Sequence, residues 1–525
     1  ARLDDRQALV QSLILAGQPA SLHDDPARLI LLAYAAWDTR CLDHLHGDFA
    51  FALWDAARGE LFCARDPMGV RPLFYAFPSA DSIVVGNALE SVRRTYGDAP
   101  ALDDDFIADF LLFGASVNPQ ATAFHEVTRL EAGQSLHWSA RDGARTRAYW
   151  HAPVDEFVEH PGCDHAEELA RLLSLAIGDR SPESGASILM SGGLDSTSLA
   201  ALARELELAT IDAHTVSYAT VVPDQEAGFA AAAANRLGIV HHIHEGGGYQ
   251  LFDAYRLLRR RYPEPMHDPE GAVVSAMHAR VAAAGTHAML TGIDCDSLLN
   301  ENPKPFIQRL LARGRVMAAA RTVAAYAWRE RRLPHAWQRR AAVQPAAYPE
   351  WLNPDFEARL DLRERWRAGH AASPGSDGLL RPNANTSIHW LRNFYALDRF
   401  DPAVTGERIE FCHPFMDARV MRFCLTLPPV PHCVKKAVLR SAMARRLPRA
   451  VLDRPKTPFR HAPLLPMLAR PGSSWIDGFT PSAALSKYVD GRRMISIRAL
   501  SDAERAWADL KPLSLDLWLT RLHEP

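Results

Sequence analysis

Apolar and polar residues alternate in short runs near the start of the chain, the period expected of half-buried β-strands. Asp48-Phe49-Ala50-Phe51-Ala52-Leu53-Trp54 and Glu60-Leu61-Phe62-Cys63-Ala64 flank the turn from Asp55 to Gly59, which predicts a β-hairpin. Ser82-Ile83-Val84-Val85 predicts another strand, and helical spacing over Pro26 to Trp37 and Asp104 to Phe113 predicts helices beside the sheet. Residues 1–150 therefore read as a mixed α/β domain with an antiparallel sheet. Arg141 to Pro153 reads as a linker, and a second domain over 160–525 opens with a helix around Asp164 to Gly178.

From Ser187 the rhythm changes to short apolar runs alternating with helices. Strands are predicted at Ser187 to Met190, Ala213 to Tyr218, Val240 to His244 and Ala288 to Gly292, with helices at Ser196 to Leu206 and Glu226 to Leu237. That alternation predicts a doubly wound parallel sheet. Further on, Pro305 to Arg340 and Val434 to Arg446 read as helices.

Composition narrows the picture. A chain of 525 residues has room for two or three cores. A formal charge of -3 gives no electrostatic reason to expect nucleic acid or an anionic membrane as partner. No run approaches the ~20 apolar residues that cross a bilayer, and a cytoplasmic enzyme is expected. The seven cysteines form no CxxC pair and read as reduced, buried thiols. His241, His242 and His244 alternate along a predicted strand without a partner at ligand spacing, which favours structural roles over zinc.

Candidate chemistry concentrates after Met190. There an apolar strand runs into Ser191-Gly192-Gly193-Leu194-Asp195-Ser196 and then into a helix, so consecutive backbone N–H groups face an anion site. No GxxxxGK[ST] or GxGxxG pattern is present. Asp195 would repel phosphate unless Mg²⁺ lay between them, so its presence implies the metal. A glycine turn that merely joins strand to helix is the plainer alternative.

The hexapeptide resembles the pyrophosphate loop of the asparagine synthetase superfamily, and further segments resemble that superfamily in order. Leu45 to Ala52 and Ala64-Arg65-Asp66-Pro67-Met68-Gly69-Val70-Arg71-Pro72-Leu73-Phe74-Tyr75 are similar to its glutaminase-like domain. Glu226 to Gly238, Thr291 to Ser297, Glu410 to Asp417 and Arg454-Pro455-Lys456-Thr457-Pro458-Phe459 are similar to its synthetase domain. The resemblance implies an N-terminal Ntn-hydrolase-like α/β sandwich and a C-terminal doubly wound α/β sheet of the adenine-nucleotide α-hydrolase type, with added helices. It also implies that Met190, Ser191, Gly192, Gly193, Asp195, Ser196, Ser217 and Gly292 bind ATP and pyrophosphate, and that Asp195 and Asp296 hold Mg²⁺. Lys456 would neutralise the departing pyrophosphate, and Glu410 would orient the amine or take its proton. A solvated lysine and a salt-bridged glutamate are the alternatives.

Several segments resemble the macrolactam synthetases that close lasso peptides: Asp25 to Trp37, Asn300-Glu301-Asn302-Pro303, His413-Pro414-Phe415-Met416-Asp417, Leu427-Pro428-Pro429 and Lys436-Ala437-Val438-Leu439-Arg440. Asparagine synthetases liberate ammonia with an N-terminal cysteine, whereas this sequence starts Ala1-Arg2-Leu3, and Asn87-Ala88 stands where a Ser-Glu pair would help bind glutamine. A degenerate glutaminase-like first domain is expected on this reading. Ile293 replaces the tyrosine of β-lactam-forming members, Asp294 stands where glycine is usual, and Ser297 stands where a carboxylate often follows. Asp294 reads equally as a third acid near Mg²⁺ or as a turn former. The implied reaction is adenylation of an Asp or Glu side chain of a leader-cleaved precursor peptide, then attack by that peptide's α-amine. A leader peptidase and a leader-recognition protein are the implied partners. The alternatives are amide formation on a small metabolite, β-lactam or asparagine-like, and a non-catalytic scaffold for the precursor.

Overall fold

The computed structural model describes residues 1–97, 101–156, 158, 162–331, 347–371, 379–393, 397–454 and 463–522. Its first domain carries β1 (Arg2–Leu3), β2 (Gly47–Asp48), β3 (Ala50–Asp55), β4 (Glu60–Arg65), β5 (Phe74–Ser79), β6 (Ser82–Gly86), β7 (Val127–Arg129), β8 (Gln134–Ser139) and β9 (Gly143–Ala148). Antiparallel pairing gives one sheet of order β3-β4-β8-β9 and a second of order β6-β5-β7.

Alternation along the strands builds the layers. On β4, Phe62 and Ala64 share a core with Leu29, Ile30 and Ala33 of the helix Pro26–Trp37. Cys63, between them, faces Leu73, Tyr75, Leu130 and Leu136 in a core between the two sheets. On β5, Phe74 and Ala76 join Phe106 and Phe110 of the helix Asp104–Phe113. The result is helix, sheet, sheet, helix: the expected α/β sandwich.

Both helices keep their predicted bounds because their caps are written locally. Asp25 and Asp103 accept hydrogen bonds from the N–H groups of Arg28 and Phe106, and Gly114, at φ 85°, ends the second helix. The predicted linker at 141–153 is corrected: β9 occupies Gly143–Ala148 and pairs with β8 along its whole length. Its six side chains are all exposed, so it carries no apolar alternation by which to be recognised.

The second domain is built on β10 (Ala186–Leu189), β11 (Ile211–Ser217), β12 (Val240–Glu245), β13 (Ala288–Thr291) and β14 (Glu410–Cys412). All pair in parallel, in the order β12-β11-β10-β13-β14. The chain runs outward from β10 to β12 through the helices Leu194–Glu205 and Glu226–Leu237, then returns to β10's other edge with β13. A crevice therefore opens between the loops that follow β10 and β13, the place where doubly wound sheets bind ligands. The predicted helix from Pro305 to Arg340 is two helices, Pro303–Ala312 and Val316–Glu330, parted at Gly314 (φ 70°), and residues 332–346 lie outside the described residues.

The two domains meet across buried charge. Arg65, 2% exposed, bonds the carbonyls of Gly69, Arg71 and Leu130 and donates to Asp398 at 2.7 Å. Arg129 pairs with Asp398 and Glu264. Arg180, on the helix His165–Arg180, reaches Asp4 at 2.9 Å and Asp417 at 2.7 Å. Burial alone would raise the Asp417 carboxyl, but Arg419 and Arg180 hold it well below the usual carboxylate range. The C-terminal helix Lys511–Arg521 closes on the first domain, where Lys511 Nζ donates to the carbonyls of Leu111 (3.1 Å) and Leu112 (2.7 Å) at the end of the helix Asp104–Phe113.

Candidate functional site

The segment after β10 turns because Gly192 adopts φ +67°, a conformation that costs other residues about 1–2 kcal/mol. A Cβ there would also lie 2.6 Å from both Ala230 N and Glu226 O, so this glycine lets the loop rest on the helix Glu226–Leu237. Gly193 starts the next helix without a side-chain cap, which leaves its first N–H groups facing the crevice. Ser191 N–H donates to Ser196 Oγ at 3.2 Å and Met190 N–H to His214 O at 2.9 Å, fixing the loop to its own helix and to β11.

Across the crevice, the loop after β13 comes close enough that a Cβ on Gly292 would stand 2.9 Å from Ser196 N. This contact brings Asp296 beside Asp195. Between the two carboxylates lies Lys436, whose Nζ is 2.7 and 2.6 Å from the oxygens of Asp195 and 2.9 Å from Asp296. Burial works against the ammonium, but Cys295, Asp195 and Asp296 more than reverse that effect and raise its pKa above the ordinary value. The Lys436 ammonium shows that both carboxylates aim at one cation position. Two hard oxygen donors beside a run of open backbone N–H groups suit Mg²⁺, which takes one or two carboxylates and completes its shell with water and phosphate. Among the described residues no group of three or more His, Cys, Asp or Glu could hold a metal; Asp195 and Asp296 offer two carboxylates.

Ser217 ends β11, buried, its hydroxyl accepting from Ala219 N–H at 3.2 Å, one strand away from the crevice. Met190, Ser191, Gly192, Gly193, Asp195, Ser196, Gly292 and Asp296 thus come together, with Ser217 at their edge. Glu410 does not join them. It is level with Ala288 at the start of β14, three residues before Thr291, and its carboxylate pairs with Arg71 and, at 3.4 Å, Arg2. Lys456 lies outside the described residues. Arg454 donates to Ser191 O at 3.1 Å and lies 4.6 Å over the Phe229 ring, which ties Arg454 to the loop after β10.

Asp294 adopts φ +74°, the conformation of a turn former, and burial pushes its carboxyl up to about 7. The histidines on β12 serve the sheet: His241 bonds Thr215 Oγ1 at 2.8 Å, His244 bonds His214 at 3.0 Å, and His242 stacks on His214. Lys436 was missed as a site residue in sequence. Its signal was a lysine directly ahead of a helix, inside a segment already noted for its resemblance.

Comparison with known proteins agrees with this geometry. Residues 168–520 match the asparagine synthase family, and residues 8–150 match the glutamine amidotransferase domain. A putative glutamine-hydrolysing asparagine synthetase of Mycobacterium tuberculosis is 27% identical over 493 residues, 83% of this chain and 71% of that one. Asparagine synthetase 3 of Bacillus subtilis is 23% identical over 82% of this chain and 70% of its own length. The amidase chyE of Penicillium rubens is 24% identical over 51% of this chain and 42% of its own. The chain belongs to the asparagine synthase family, and in that coarse sense it is an asparagine synthetase-like ATP-dependent amide ligase.

Proposed function

We propose, starting from that membership, that the chain forms an isopeptide bond within a peptide: it closes a macrolactam of the lasso type. The observation that carries the ligase chemistry is the Asp195–Lys436–Asp296 cluster beside the uncapped helix start at Gly193. An acceptor carboxylate would attack the α-phosphorus of ATP, and pyrophosphate would leave into the N–H groups of the Ser191–Asp195 turn. Mg²⁺, held by Asp195 and Asp296, would supply charge neutralisation on the leaving group. Lys436 adds a fixed positive charge where negative charge develops, the kind of contribution worth about 3 kcal/mol in comparable sites. The peptide's α-amine, having an ordinary pKa of about 7.7–8, then displaces AMP and loses a proton.

The peptide reading is supported by the segments similar to lasso macrolactam synthetases and by the first domain's chemistry. Cys41 and Cys63 are buried, and burial pushes both thiols up to about 12, far from the thiolate a glutaminase would need. Asn87 and Ala88, directly after β6, offer no carboxylate to a glutamine amine. The names of the relatives favour a second reading, asparagine-type amide formation on a free amino acid.

Precursor peptide, leader peptidase, leader-recognition protein and Mg-ATP, mixed with the chain, should yield AMP, pyrophosphate and a product one water lighter than the leader-cleaved peptide. Asparagine from aspartate with ammonia or glutamine, and no loss of water from the leader-cleaved peptide, would establish the second reading instead. A phenotype that survives Asp195→Asn would point to a scaffold.

A further inference from the structure

Glu330 is the last residue of the helix Val316–Glu330, where the helix dipole disfavours an acid, and its side chain is only 5% exposed. A buried carboxylate in that position needs a partner. It has one: Lys435 Nζ at 2.5 Å, on a side chain that is otherwise 62% exposed. Lys435 and Lys436 are consecutive residues in the left-handed region, at φ 50° and 58°. Glycine or asparagine adopts that conformation readily and lysine does not, so the turn must be held by contacts outside it. Two residues before Lys435, the Cys433 carbonyl accepts from the Glu301 N–H at 2.9 Å, and the residues after Lys436 enter the helix Ala437–Met443. Within the turn itself, the ion pair to Glu330 fixes Lys435 while the next side chain points to Asp195 and Asp296.

We propose that Glu330 is a positioning residue: by pairing with Lys435 it latches the left-handed turn, and the latch holds the Lys436 ammonium over the pyrophosphate position. The role assigned to that position rests on the adenylation reading above. Loss of the latch lets Lys435 relax toward ordinary backbone angles and swings Lys436 away from the acids.

Mg-pyrophosphate binding to the full chain, followed by calorimetry, tests this directly. Glu330→Gln should weaken binding about tenfold, less than the roughly 100-fold that a 1 Å misplacement can cost a reaction. Glu330→Gln combined with Lys435→Gly should return to within about threefold of wild type, because glycine holds the left-handed angles without a latch. A merely structural Glu330 would give no such rescue. Lys435→Met breaks the same pair from its exposed end and should reproduce the loss should Glu330→Gln fail to fold. Wild-type affinity in the variant that folds, or a double variant as weak as the single one, overturns the proposal. A wild-type chain that binds Mg-pyrophosphate yet releases none from ATP overturns the adenylation reading instead, and the affinity comparison still decides the latch.

Discussion

The crevice between β10 and β13 and the seam between the two domains use the same ingredients, basic side chains among aspartates, to opposite ends. In the seam Arg65, Arg129 and Arg180 are 2–3% exposed; Arg65 and Arg180 each meet carboxylates or carbonyls from both domains, and Arg129 reaches from the first domain to Asp398 and Glu264 of the second. In the crevice Lys436 is 14% exposed, Asp195 23% and Asp296 42%, and one cation is shared by two acids. A buried network whose charges already pair with one another presents little to a ligand; a half-open one with an excess of acid can take up a hydrated metal and phosphate beside its ammonium. Buried pairs contribute little net stability compared with apolar replacements but are costly to break from one side.

The largest expected effect is therefore on the seam. Arg180→Met leaves buried Asp4 and Asp417 with one arginine each, Arg2 and Arg419, in place of two, and should cost about 3 kcal/mol in unfolding free energy, the low end for breaking a buried pair from one side. Denaturant titration checks it, and a loss under about 1 kcal/mol would place Arg180 among exposed pairs instead. Next comes the crevice, with the opposite signature. Asp195→Asn should reduce pyrophosphate release about 100- to 1000-fold while leaving the unfolding midpoint almost unchanged. Equal damage to stability and turnover in both variants would erase the distinction between the two regions.

How much of this contrast was legible in sequence differs for the same physical reason. The loops Ser191–Ser196 and Thr291–Ser297 could be read because a phosphate site needs contiguous glycines and acids at the ends of apolar strands, a local pattern. The seam could not, since Arg65 and Asp398 are 333 residues apart in sequence and neither is unusual where it stands. Lys436 fell between the two cases, local in its helix start but tied to Asp195 over 241 residues. Strands followed the same rule: β3 and β4 alternate and were visible, whereas β9 has six exposed side chains and β14 only three residues.

A third test reaches the sheet beneath the crevice. His214 sits buried against His242 and His244, and burial followed by those neighbours lowers its pKa from 6.5 to about 3. The folded protein therefore keeps it neutral while the unfolded chain takes up a proton below pH 6.5. Its contribution is complete above that pH and is lost as pH falls toward 3, about 2 kcal/mol by pH 5. Replacing His214 by Gln should flatten the stability profile between pH 6.5 and pH 5, measured by denaturant midpoints. An unchanged profile would mean that His214 is as free to titrate folded as unfolded.

Glu410 gives the smallest expected effect and the sharpest check on where the boundary between seam and crevice lies. Its strand position, level with Ala288, and its pairing with Arg71 and Arg2 place it with the seam, yet its side chain is 36% exposed, more like the crevice. Partly exposed pairs contribute about 0–1 kcal/mol, so Glu410→Gln should cost no more than that in stability. Because three residues of strand separate it from the loop at Thr291, pyrophosphate release should change by less than about threefold. Measuring release and amide formation separately tells the two regions apart at this residue. A fall in amide formation alone would give Glu410 the amine's proton, and a hundredfold fall in both would move it across into the crevice.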